Sequence, residues 1–144
     1  LQSVELEDLQ GETRSRIKIP SSLERAILCA KVAEQNKGRE ILVLDMRKIT
    51  TLYDFFVIST GTSRRQIHAI AEQSDAALTR VGDKRLSIEG YQASKWVLQD
   101  FGDIIVHVFD KETRAYYELE ELWANAPRID WANTPLGPKL LEAI

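Results

Sequence analysis

The sequence has a single cysteine, Cys29. It therefore has no internal disulfide to staple it and suits a reducing compartment. No apolar run approaches the roughly 20 residues that a spanning helix needs, so no membrane partner is expected. Neither sign of charge prevails: 19 basic and 22 acidic side chains leave a net charge of −3. A protein that grips nucleic acid through its phosphates is usually basic. Any work near nucleic acid is therefore expected to run through protein contacts or a local patch, without direct sequence-specific binding. Internal repeats and low-complexity tracts are also missing. What is present is an ordinary globular mixture, 44% apolar and 28% charged over 144 residues. That is about one domain, able to bury about two-thirds of its unfolded surface without staples.

Residues 1–19 read as a flexible N-terminal tail. Glu5, Glu7, Asp8 and Glu12 precede Arg14, Arg16 and Lys18 with no helical apolar stripe, and nothing resembles a secretory signal. Leu1 is not an initiator Met, which fits a fragment or a processed form. The core starts at Pro20. Ser21 with Glu24 forms a capping box, Leu23, Ala26, Ile27, Ala30 and Ala33 recur at helical spacing, and Gly38 is placed to end that helix. Ile41–Leu44 and Phe55–Thr60 read as buried strands. Ser63 with Gln66 opens a second helix, with Ile67, Ile70, Ala71, Ser74, Leu78 and Val81 inward and Gly82 as its stop.

Residues 85–89 read as a half-buried strand, and 95–101 and 103–109 as a hairpin turning at Gly102. A last helix is expected over 111–125, with Tyr117, Leu119, Leu122 and Trp123 packing down. Pro127, Pro135 and Pro138 make 126–144 a mostly irregular extension, with Leu136, Leu140 and Leu141 in a short docked turn. The order helix, two strands, helix, three strands, helix fits an α/β fold: one mixed sheet of about five strands with helices packed on it.

Several residues invite a chemical reading. Gly61-Thr62-Ser63 lies between a strand and a helix. Free N–H groups there, with Arg64 and Arg65, could cradle a phosphate, while a tight turn with an ordinary cap is the plainer reading. The spaced glycines and Gly-Lys-Ser/Thr ending of a P-loop are absent. Two-metal nucleotidyl transfer needs converging carboxylates. The strand after the second helix, Leu86-Ser87-Ile88-Glu89, has one, and Asp100 and Asp103 flank a turn. Asp45 and Asp54 are strand-end or turn residues. Cys29, His68 and His107 lack metal-ligand spacing, so no metal or other cofactor is expected. His107, in an apolar strand, reads as a hydrogen-bonded core residue. Trp96 shares a strand face with Leu98 and Asp100, and the polar loop 90–94 beside it favours partial exposure.

Together, Leu44-Asp45, Asp54-Phe55-Phe56-Val57-Ile58, Thr60-Gly61-Thr62-Ser63, Ile88-Glu89-Gly90, Trp96–Asp103, Val106–Phe109 and Arg114-x-Tyr116-Tyr117-x-Leu119-Glu120-x-Leu122-Trp123 form ordered blocks. They resemble the ribosomal silencing factor family, also called Iojap or DUF143-like, over about residues 22–124. The resemblance implies a domain over 20–125 with a nucleotidyltransferase-like fold that lacks the catalytic carboxylates, and a non-enzymatic role. It implies binding to large-subunit ribosomal protein fourteen, a steric block to subunit joining, and lowered translation when nutrients are short. Large-subunit assembly is the alternative role, and a nucleotide-binding enzyme is the more distant one. Many members are homodimers off the ribosome. The implied location is the bacterial cytoplasm, with an organelle after loss of a targeting peptide as the alternative. Trp96 matches the family's interface tryptophan; Glu89, Tyr91, Lys95 and Asp100 are expected around it. Asp54, Gly61, Thr62, Ser63, His107, Arg114 and Glu120 match family positions that read first as fold-determining.

Overall fold

The computed structural model describes residues 19–144, so all of the expected tail except Ile19 lies outside the described residues. Helix α1, Ser22–Gln35, starts as its sequence dictates. The Ser21 hydroxyl accepts from the Glu24 N–H while the Glu24 carboxylate accepts from Ser21. Its apolar stripe, from Ala26 to Ala33, is buried. The helix ends on Asn36, and Lys37, not Gly38, takes the left-handed turn.

Strands β1 (Arg39–Asp45) and β2 (Phe55–Thr60) pair antiparallel, so the short link between them needs no crossover helix. Helix α2 (Arg64–Arg80) leads to β3 (Ser87–Glu89), β4 (Trp96–Asp100) and β5 (Ile104–Phe109). Leu86, expected in β3, lies just outside it and is largely exposed. The sheet order is β1-β2-β5-β4-β3. Only β2 and β5 run parallel, and both are buried along their whole length, as central strands should be.

The two sheet faces differ. Val43, Phe55, Val57, Val97, Ile104, Val106 and Val108 meet α1 and α2 in the main core. On the other face, Leu44, Phe56, Ile58, Ile105 and Phe109 pack with Met46, Leu119 and Ala126, leaving Trp96 and Leu98 half-buried at the side. The expected last helix is two pieces, α3 (Lys111–Tyr117) and α4 (Leu119–Leu122), broken at Glu118, whose φ is +46°. Arg114 makes contacts that span the break. Arg114, buried, reaches Thr60 Oγ1 (2.8 Å) at the end of β2 and Glu120 (3.0 Å) beyond the kink. Leu119 and Trp123 pack down as expected, whereas Tyr117 and Leu122 stay exposed.

Residues 126–144 are more ordered than their prolines suggest. Pro127 C=O accepts from Asp45 N–H, Ile129 N–H donates to Val43 C=O, and Trp131 Nε1–H donates to Ile41 C=O. The free edge of β1 is thus occupied. Helix α5 (Pro138–Ala143) starts with proline at a first-turn position, where its missing N–H costs nothing. It sends Leu140 and Ala143 into the main core and leaves Leu141 exposed.

Candidate binding surface

Strand β4 is an alternating segment. Val97 and Gln99 point under the helices, where Gln99 Nε2 donates to Ala71 C=O at 2.9 Å. Trp96, Leu98 and Asp100 face the other way. Across β5 they stand opposite Phe109, His107 and Ile105. Across β3, Leu98 stands opposite Glu89 and Asp100 opposite Ser87. This is the part of the second face that α3, α4 and the Ala126 segment leave uncovered.

Trp96 is set among aromatic rings. It stacks on Phe109 (centroids 4.9 Å, 27°) and leans on Tyr117 (5.0 Å). Tyr116 meets Tyr117 edge-on at 5.0 Å and is 81% exposed. The indole N–H donates to His107 Nδ1 at 3.1 Å. His107 is buried, and loss of hydration pushes its imidazole down from 6.5 to about 3, so the ring is neutral. Beside Trp96 lies a hollow of about 480 Å³ lined by Lys95, Glu112, Thr113, Tyr116 and Tyr117.

Of the residues expected from sequence, Trp96 and Lys95 come together here, and Glu89 stands beside them on β3, opposite Leu98. Lys95 flanks the hollow, and its C=O accepts from Asp110 N–H, fixing α3 against β4. Asp100 shares the face but sits four residues along the strand, about 14 Å away at about 3.4 Å per residue. Its Oδ1 accepts from Gly102 N–H and holds the hairpin turn. Tyr91 lies elsewhere. It stacks on His68 of α2 (4.0 Å, 7°) and donates its hydroxyl to Glu72 at 2.9 Å. Partial burial and that carboxylate push its phenol up from the usual value. The His68 ring nitrogen in turn contacts Tyr91 C=O (2.8 Å) and Ser94 Oγ (2.7 Å), so α2 holds the 90–95 loop. Gly90 has φ +77°, and a Cβ there would meet Trp96 C=O at 2.1 Å, so the loop needs glycine where it folds against β4.

The sequence reading missed Tyr116 and the outward half of Tyr117. The available signal was their adjacency, because neighbours on a helix cannot both face one core. It also missed Arg25, which lies inside the apolar stripe of α1.

The other candidates have structural employment. Gly61 N–H donates to Phe109 C=O, Thr62 N–H to the Gln66 side chain, and Gln66 N–H to Ser63 Oγ. These three donors are thus used within the chain. Gln66 caps through Thr62, not through the reciprocal bond to Ser63 that a capping box would have. A Cβ on Gly61 would lie 2.6 Å from Ile67 Cγ1. Asp103 pairs with Arg25, Asp45 with Arg47, and Asp54 accepts from Ser22 Oγ. The Arg47 guanidinium holds the Asp45 carboxyl below its ordinary range. Cys29 is buried and its thiol is pushed up. Among the described residues no three His, Cys, Asp or Glu side chains are grouped to hold a metal, and no helix is long and apolar enough to cross a membrane.

The chain and its fold have relatives. A crystallised protein from Chromobacterium violaceum superposes with a TM-score of 0.71 at 35% identity, over 73% of this chain and 88% of that one. A ribosomal silencing factor RsfS from Halalkalibacterium halodurans is 38% identical over 110 residues, 76% of this chain and 94% of the relative. The mouse protein named mitochondrial assembly of ribosomal large subunit protein 1 is 33% identical over 99 residues, 67% of this chain and 43% of its own length. The family model described as "Ribosomal silencing factor during starvation" matches residues 19–140, continuing through the segment that closes the β1 edge. By that match and those identities, the chain belongs to the ribosomal silencing factor family.

Proposed function

We propose that this chain is a non-enzymatic repressor of translation that docks on the large ribosomal subunit through the Trp96 face. Large-subunit ribosomal protein fourteen is the docking partner in this reading, and the small subunit is excluded because two bulky bodies cannot share one patch. The observation that carries it is the uncovered aromatic cluster of Trp96, Tyr116 and Tyr117 beside the Lys95 hollow. Such anchors dominate binding because they bury large areas with few rotamers to fix. A standard interface hides about 800 Å² per partner. Trp96 is its centre, Glu89 and Lys95 its rim, Asp100 its far end, and Tyr91 contributes by holding the 90–95 loop. A chain of net charge −3 can approach the RNA-rich ribosome by docking on a basic ribosomal protein. When off the ribosome the chain is proposed to form homodimers. The compartment is the bacterial cytoplasm, or an organelle as the alternative. Against catalysis, β3 offers Glu89 as its one carboxylate, and Asp100 and Asp103 are engaged in the turn and in the Arg25 pair.

The test is co-sedimentation of the tagged protein with purified large subunits. Trp96→Ala should weaken it about 30-fold or more, the range of a central aromatic anchor, with unchanged circular dichroism. Normal co-sedimentation of that variant refutes the surface assignment. The printed name of the mouse relative favours a second reading, in which the same face acts during large-subunit assembly. Accumulation on precursor particles would select it; accumulation on mature subunits selects silencing.

A further inference from the structure

We infer that His107 is a positioning residue for the Trp96 contact: its Nδ1 takes the indole N–H and sets the ring, so that a partner meets only the carbon face and edge of Trp96. The inference rests on the docking role proposed for Trp96. The two residues are diagonal neighbours on one sheet face, since Trp96 stands opposite Phe109 and Leu98 opposite His107, and their hydrogen bond is 3.1 Å long. An indole nitrogen only donates, so Nδ1 is the bare nitrogen and the proton of the neutral ring is on Nε2. Nε2 is buried and has no hydrogen-bond partner among the described residues, its ring edge-on to Phe56 at 4.8 Å.

A buried donor left unpaired is costly, and phenylalanine at this position would avoid that cost. What histidine supplies here and phenylalanine does not is the acceptor at Nδ1. Burial keeps it an acceptor at neutral pH, because the ring resists protonation. Phe109 on one side and Tyr117 on another complete the clamp. Trp96 is therefore ordered before it docks, and the entropy lost on binding is reduced. With the N–H turned inward, the matching group on the partner is an aliphatic side chain or the stem and cation of a Lys or Arg, which the indole face attracts. A carbonyl acceptor has nothing to bind there.

Nitrogen-15 magnetic resonance on the unaltered full chain tests the bond directly. Scalar coupling between Trp96 Nε1 and His107 Nδ1, with Nδ1 unprotonated, is expected. A protonated Nδ1, or an indole proton exchanging freely with solvent, overturns the inference. Large-subunit co-sedimentation then tests its use. His107→Phe should weaken binding by about 2- to 10-fold, the cost of immobilising one free side chain. His107→Asn, whose amide oxygen can stand in for Nδ1, should recover most of that loss. Wild-type affinity in a folded His107→Phe overturns the positioning role. Should that variant not fold, the coupling and the near-wild-type affinity of His107→Asn decide, and a full loss in folded His107→Asn overturns it. Trp96→Ala separates the failures: normal binding there sinks the docking reading even where the coupling is present.

Discussion

A buried neutral histidine gives the stability of this protein a pH dependence of known sign. The His107 imidazole has its pKa lowered from 6.5 to about 3 by burial. Above pH 6.5 the folded and unfolded chains carry the same uncharged ring and there is no penalty. Below it the unfolded chain takes up a proton that the folded chain refuses, so stability falls by up to about 1.4 kcal/mol per pH unit. The loss stops near pH 3, where the folded ring itself protonates. The difference in unfolding free energy between wild type and His107→Phe, measured in urea, should therefore shift against the wild type from pH 6.5 to pH 4. The carboxylates common to both proteins cancel in that difference, and a pH-independent result contradicts the assignment. At this scale the sequence was partly legible. A histidine in an apolar strand announces burial, and strand alternation put Trp96, Leu98 and Asp100 on one face. The partner of His107 was not, because a diagonal pair follows from strand register, and register is not written in either strand alone.

Elements are held here by a few buried ions as well as by apolar area. Arg25 of α1 is buried and donates to Asp83 (2.6 Å), after α2, and to Asp103 (2.9 Å), in the β4–β5 turn. One guanidinium thus joins both helices to the hairpin that carries Trp96. Arg25→Ala should cost about 3 kcal/mol, the low end for breaking a buried pair, because it strands Asp83, whose side chain is only 10% exposed, while Asp103, 39% exposed, stays hydrated. A urea midpoint within error of wild type would contradict this. The capping box at Ser21 and the buried runs of β2 and β5 made their elements readable from sequence, since those signals are local. Arg25 was not readable, with partners 58 and 78 positions away. The kink at Glu118 escaped in part for the same reason: local periodicity continues to 125, while Arg114, just before the kink, bonds Thr60, 54 positions earlier.

For the whole molecule, the segment after 125 decides whether the β1 edge of the sheet is open. A chain ending at residue 125 loses the Pro127, Ile129 and Trp131 bonds to β1 and the buried Leu140 and Ala143. Bare strand edges pair with other chains. Such a truncation should lower the urea midpoint and form assemblies larger than those of the full chain by sedimentation velocity. An unchanged midpoint and size distribution would show that the segment is dispensable. The fold class was legible because the order of helices and strands leaves few ways to bury every face. The closing strap was not, because its prolines speak against regular structure and its bonds are to backbone groups far earlier in the chain.

The parallel pair at the sheet centre has a consequence in time. Phe55 pairs with Ile104, so the middle of the sheet cannot assemble on a ribosome until β5 has left the exit tunnel. Leu140 and Ala143, which complete the main core, emerge later still. Distant pairings of this kind make folding slow. A nascent chain therefore emerges without the Trp96 face, because that face is built on β4 and β5 and waits for both strands to pair.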